Sequence, residues 1–119
     1  MSLAALSVAA ALVSPQAINL DTGLGVLRTC EDEGLRLVCL GYIKGVTDGI
    51  QTYSSARGFP APYCAPAGAT MEDFRLVLVE DLRVRRDYWG FIAPAAIVRV
   101  LNDAFPCPTS GASPNAPGQ

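Results

Sequence analysis

Four cysteines set the tightest limit on what this chain can become: Cys30, Cys39, Cys64 and Cys107, with eight, twenty-four and forty-two residues between neighbours. None of these spacings makes the Cys-x-x-Cys pair that zinc ribbons and thioredoxin-like redox sites need. A chain of 119 residues carries one domain, and a domain this small gains only a modest margin from its apolar core. An even number of widely spaced cysteines then reads as two disulfides formed in an oxidising compartment. Each contributes about 2 to 4 kcal/mol by restricting the unfolded chain.

Residues 1–17, MSLAALSVAAALVSPQA, agree with export. The apolar run from Leu3 to Val13 has signal-peptide length, is too short to span a bilayer, and offers a cut after Ala17. No Lys or Arg precedes the run, and Pro15 stands three residues before the cut. The competing reading is a frayed N-terminal helix, and the cysteines favour the leader. The domain is therefore expected over 18–108, and the Pro/Gly/Ser/Ala stretch Thr109 to Gln119 as a tail unable to form a core.

The chain contains no histidine. That removes the common nucleophilic triads, the usual base near neutral pH and most zinc chemistry. Its one close acid cluster, Glu31-Asp32-Glu33, has no basic or apolar surroundings to split its pKa values as acid/base work requires. The expectation is a protein that is not an enzyme and takes no cofactor. A net charge of -2, with basic and acidic residues interleaved, also argues against nucleic acid as a partner.

Periodicity predicts an all-α domain of four helices. Asn19 to Thr22 supply caps for a short first helix over Gly23 to Cys30, and the acids before Gly34 interrupt it. A second helix runs from about Leu35 to Tyr53, with Leu35, Val38 or Cys39, Tyr42, Val46 and Ile50 as its apolar stripe. Tyr42 is expected to bond to Asp48 or a backbone group, and Lys44 to pair with Asp48. Ser54 to Ala69 is rich in breakers and reads as a loop pinned by Cys64, with Phe59 and Tyr63 exposed. Thr70 caps a third helix reaching Val84, with Glu80 and Arg83 as an i,i+3 pair, although Phe74, Leu76 and Leu78 also alternate as a strand would. Asp87-Tyr88-Trp89-Gly90 forms a turn. Pro94 opens a last helix that packs through Ile97, Val98, Leu101 and Phe105 and ends at Phe105-Pro106-Cys107. If the helices run up and down, Cys30 falls near Cys39 and Cys64 near Cys107; a return of the long loop toward Cys39 would leave Cys30 for Cys107.

Gly41, Gly45 and Gly49 lie four apart in the second helix, where each costs about 1 kcal/mol relative to alanine. They form one close-packing face, directed either at the rest of the protomer or at another protein. Membrane pairing is excluded because Lys44, Asp48 and Gln51 would then lie in the bilayer. Candidates for partner contact are Arg85, Arg86, Tyr88 and Trp89 in one turn and Phe59 and Tyr63 in the other.

Cys30, then CLGYIKGVTDGI, then YCAPAGAT, then AFPC closing the last helix form an ordered set that resembles the Tai family. Those are periplasmic immunity proteins against amidase toxins delivered by type VI secretion. The resemblance spans roughly Asp21 to Cys107. Its most specific part is matched by Cys39, Gly41, Tyr42, Ile43, Gly45, Val46 and Asp48; Cys64 with Pro66, and Phe105, Pro106 and Cys107, match the rest. It implies a disulfide-containing helical homodimer that occludes the cleft of a peptidoglycan amidase. Between helices three and four the chain departs from that pattern, carrying Arg85-Arg86-Asp87-Tyr88-Trp89 in place of a turn with histidine and proline. A helical periplasmic chaperone that binds unfolded clients is the main rival reading, and a saposin-like lipid binder a second.

Overall fold

A computed structural model describes residues 18–108. The expected leader, 1–17, and the expected tail, 109–119, lie outside the described residues. The described chain forms four helices and no strand: α1 (Gly23–Glu31), α2 (Arg36–Arg57), α3 (Met71–Val84) and α4 (Ala93–Ala104). Short 3-10 turns at Glu33–Leu35 and Arg86–Tyr88 join α1 to α2 and α3 to α4. α1 and α3 each pack against the other three helices.

Local chemistry accounts for the helix ends. Thr22 caps α1 by accepting from the Gly25 N–H (3.2 Å). Thr70 and Asp73 form a capping box, with the Asp73 N–H donating to the Thr70 hydroxyl (3.1 Å) and the Thr70 N–H to the Asp73 carboxylate (2.9 Å). α2 runs one turn past the expected stop at Tyr53, so the loop opens at Gly58 and not at Ser54. Gly58 adopts the left-handed conformation (φ +68°) that glycine tolerates at a helix C-terminus.

The core stripes follow three- and four-residue steps: Val26, Leu27 and Cys30 on α1, Phe74, Leu78 and Leu82 on α3, and Ala93, Ala96, Ile97, Val100 and Leu101 on α4. Leu76 is half exposed, which removes the strand reading of α3. On α2 the fully buried stripe is Cys39, Ile43 and Thr47, rotated from the expected one; Tyr42 and Val46 only flank it. Burying Thr47 is inexpensive because its hydroxyl donates to the Ile43 carbonyl one turn back (2.9 Å). The Tyr42 hydroxyl donates to a backbone group, the Leu20 carbonyl (3.4 Å), and Lys44 pairs with Asp48 (2.9 Å).

Disulfides close Cys30 to Cys39 and Cys64 to Cys107, across 9 and 43 positions of sequence. The first joins the end of α1 to the first turns of α2. The second ties the loop before α3 to the chain just after α4, where the Cys64 N–H also donates to the Phe105 carbonyl (2.8 Å). Arg75 adds a polar staple: it pairs with Glu72 (2.7 Å) and donates to the Cys30 carbonyl (2.9 Å), one of the last carbonyls of α1 without a helical partner. Arg83 pairs with Glu31 of α1 (2.7 Å) and not with Glu80, since α3 packs on α1 and brings the two termini together.

Candidate functional site

The turn between α3 and α4 is braced from three sides. Backbone N–H groups of Gly23 and Leu24 donate to the Phe91 and Trp89 carbonyls (2.9 and 3.2 Å), and the Ala93 N–H donates to the Asp21 carbonyl (3.0 Å). This bridge requires glycine at 23, because a Cβ there would overlap the Tyr88 carbonyl oxygen. The Trp89 indole N–H donates to the Leu82 carbonyl (2.6 Å). Tyr88 is buried and its hydroxyl donates to Asp103 of α4 (2.7 Å).

Charge and ring stacking complete the brace. The Arg85 guanidinium pairs with Asp87 (3.0 Å) and Asp103 (3.3 Å) while lying 4.1 Å from the Tyr88 ring centroid. Tyr88 stacks on Phe91 at 5.2 Å, and Arg99 closes the ladder 5.9 Å from the Phe91 ring. Its hydrogen bond from Arg85 holds the Asp87 carboxyl below the ordinary value. Hydrogen bonding to Asp103, aided by burial, pushes the Tyr88 hydroxyl up. Of the four residues expected to contact a partner here, Arg85 and Tyr88 are thus spent within the protomer, and Trp89 is half-buried with its N–H engaged. Arg86 remains exposed, its guanidinium 5.2 Å from the Trp89 ring. At the two ends of the same connection are Val84, 76% exposed, and Ile92, 68% exposed. Sequence reasoning missed both; their signal is two branched apolar residues at the ends of helices with no place in either helical stripe.

The second expected turn divides in the same way. Tyr63 is 2% exposed, correcting its expected exposure: it packs edge-on against Phe74 at 6.0 Å and accepts from the Gln51 amide (3.2 Å). Its burial pushes the hydroxyl up from its ordinary value. Phe59 stays exposed and meets Tyr53 at 5.9 Å, with the Arg57 guanidinium 5.8 and 5.7 Å from the two rings. Tyr53 and Arg57 were not among the expected contacts because the last turn of α2, which brings them beside Phe59, reads as loop. The carbonyl of Pro62 accepts from Asn102 (2.7 Å), so this loop is fixed to α4 as well as through Cys64.

Gly41, Gly45 and Gly49 face outward on α2, and a Cβ built at any of them meets no atom of the described residues within 4 Å. Packing within the described domain therefore does not account for them. They continue a ridge that starts at Leu37, 82% exposed, and ends at Tyr53. Among the described residues, no group of three His, Cys, Asp or Glu could hold a metal ion, and no helix is long and apolar enough to cross a membrane.

What these features define is a class: a disulfide-stapled four-helix protein that presents rigid turns and an unoccupied helix ridge. A family model described as Rap1a immunity proteins matches residues 22–107, and the chain belongs to that family. Neither a curated protein nor a solved structure matches it. Membership assigns the role of an immunity protein, whose partner is a toxin effector protein.

Proposed function

We propose that the protein is a periplasmic immunity protein that binds a peptidoglycan amidase delivered by type VI secretion and occludes its cleft, without catalysis of its own. The observation that carries the reading is the family match over residues 22–107, which covers nearly all of the described domain. Two disulfides support an oxidising location. Occlusion demands a contact surface that is ordered before binding, because ordering it on contact would subtract from affinity. The braced α3–α4 turn supplies that order, and Val84, Arg86 and Ile92 are exposed along it. An arginine flanked by exposed branched apolar residues is suited to anchor a protein interface.

The protein works as a homodimer in this reading. The ridge Leu37, Gly41, Gly45, Gly49, Tyr53 is symmetric in sequence about Gly45, so an antiparallel second copy of α2 would set Leu37 against Tyr53 and glycine against glycine. Such a two-fold contact is self-complementary by construction.

The test is isothermal titration against an amidase encoded beside the gene. Binding at nanomolar concentration in physiological salt is expected, weakened at least tenfold, about 1.4 kcal/mol, by the pair Arg86→Glu and Ile92→Asp. The pair should leave the helical circular dichroism unchanged. No binding at micromolar concentration overturns the amidase reading, and full binding by the pair overturns the choice of surface.

A further inference from the structure

A cleft of about 390 Å³ opens between the segment before α1 and the link from α1 to α2. Asn19, Leu24, Arg28, Thr29, Asp32 and Leu35 are among the residues that line it. We propose that it binds a small zwitterion of the α-amino-acid class. The inference stands independently of the immunity reading.

Two polar side chains of this cleft, Thr29 and Arg28, lack among the described residues the internal partners that their counterparts elsewhere have. Two threonines are buried, each 3% exposed. Thr47 spends its hydroxyl on the Ile43 and Lys44 carbonyls, whereas Thr29, which lines the cleft, makes no side-chain hydrogen bond among the described residues. A buried hydroxyl without a partner is costly, and its presence in a native structure points to a group supplied from outside. Arg28 is in no ion pair and lies over no aromatic ring among the described residues, whereas Arg36, Arg75, Arg83 and Arg85 are each held by a carboxylate and Arg57, Arg86 and Arg99 lie over rings.

Arg28 and Asp32 lie one helical turn apart at the end of α1 and line the same space, yet they do not pair with each other. One oxygen of Asp32 accepts from the Gly34 N–H (2.8 Å), which fixes the carboxylate and leaves its second oxygen for an ammonium group. Arg28 offers a forked donor for a carboxylate. Asn19 has its carbonyl oxygen committed to the Asp21 N–H (2.9 Å), leaving its amide N–H₂ to donate to the same carboxylate. A simple anion would meet Asp32 and a simple cation would meet Arg28, so a ligand carrying both charges fits where either alone is opposed. Leu24 and Leu35 supply an apolar wall for a short side chain. The volume lies at the low end of the roughly 300 to 1,000 Å³ found for small-molecule sites. The mouth is fixed as well: Gly25 lets the Asn19 backbone approach α1, and a Cβ there would overlap the Asn19 carbonyl oxygen.

The experiment is a titration of the full chain, followed by its backbone amide resonances, with alanine and leucine, and with acetate and methylammonium as probes of one charge each. Saturable shifts at Gly25, Arg28, Thr29 and Asp32 are expected with millimolar alanine or leucine and not with the two ions. Arg28→Gln and Asp32→Asn should each weaken binding by about tenfold, the ordinary loss for one charged hydrogen bond. Thr29→Val should weaken it too while leaving the melting temperature of the free protein unchanged or raised. Equal shifts with acetate or methylammonium overturn the zwitterion assignment, and silence with every probe overturns the site. A lowered melting temperature for Thr29→Val would show that the hydroxyl already has an internal partner and remove the observation on which the inference rests.

Discussion

Replacing Gly41, Gly45 and Gly49 together by alanine separates what the protomer needs from what a partner needs. A glycine inside a helix costs about 0.8 to 1.0 kcal/mol relative to alanine, because its backbone loses more freedom on folding. Among the described residues nothing lies within 4 Å of a Cβ at any of the three positions, so no steric term opposes the gain. The triple variant is then more stable as a protomer by about 2 to 3 kcal/mol. For a domain of this size that is a rise in melting temperature on the order of 10 to 20 °C. If the ridge is the dimer contact, the same three methyl groups hold two backbones apart and weaken association. The assay is thermal unfolding by circular dichroism on dilute protein, where monomers prevail, paired with sedimentation velocity on concentrated protein. The expected result is a higher melting temperature and a smaller particle. An unchanged or lower melting temperature in dilute solution would refute the protomer argument. A higher one with undiminished dimer would refute the role given to the ridge.

Gly23→Ala is the opposite case: its Cβ would overlap the Tyr88 carbonyl oxygen and sit 3.0 Å from the Ala96 Cβ. A loss of about 1 to 3 kcal/mol in urea unfolding is expected, with a shifted Trp89 emission as the turn is displaced. Removing the Cys64–Cys107 bridge should cost about 4 kcal/mol and removing Cys30–Cys39 about 2.7, since the entropy released to the unfolded chain grows with the 43- and 9-position separations; equal losses in denaturant unfolding would count against that ordering. The hydroxyls of Tyr42, Tyr63 and Tyr88 are all raised above 10.0 in the folded state. Their contribution to stability is therefore fully present below pH 10 and is lost as pH rises through the folded values. Asp103→Asn removes the main cause at Tyr88, so ultraviolet titration should show one tyrosine ionising at lower pH than in the parent.

The helices and their starts were legible because their causes are local. Thr70 with Asp73, Thr22 before α1 and Pro94 near the start of α4 each announce a helix within three residues of its beginning. The end of α2 was not, since Ser54 to Arg57 have no large apolar residue to extend the stripe, and the stop is set by Gly58 in the left-handed conformation. Long-range partners were also beyond reach. Asp103 meets Arg85 and Tyr88 from 18 and 15 positions away, and only the packing of α4 under the turn brings it there. Without that contact, Arg85 and Tyr88 look like free anchors, while Val84 and Ile92 look like ordinary helix residues. Tyr63 was misread for the same reason: beside Pro60 and Pro62 it reads as a loop tip, and the second disulfide, together with Asn102, draws that loop onto the core. Glycine spacing on α2 was visible in the sequence, but whether it faces inward or outward was settled only by the stripe through Cys39, Ile43 and Thr47.

In the proposed function an oxidised helical scaffold silences a toxin by being held across its cleft. Titrating the hydrolysis of peptidoglycan by an amidase found encoded beside the gene with this protein tests that most directly. Turnover should fall in proportion to added protein and vanish near equimolar protomer, and it should return when both disulfides are reduced. Undiminished hydrolysis in the presence of excess oxidised protein would contradict the account.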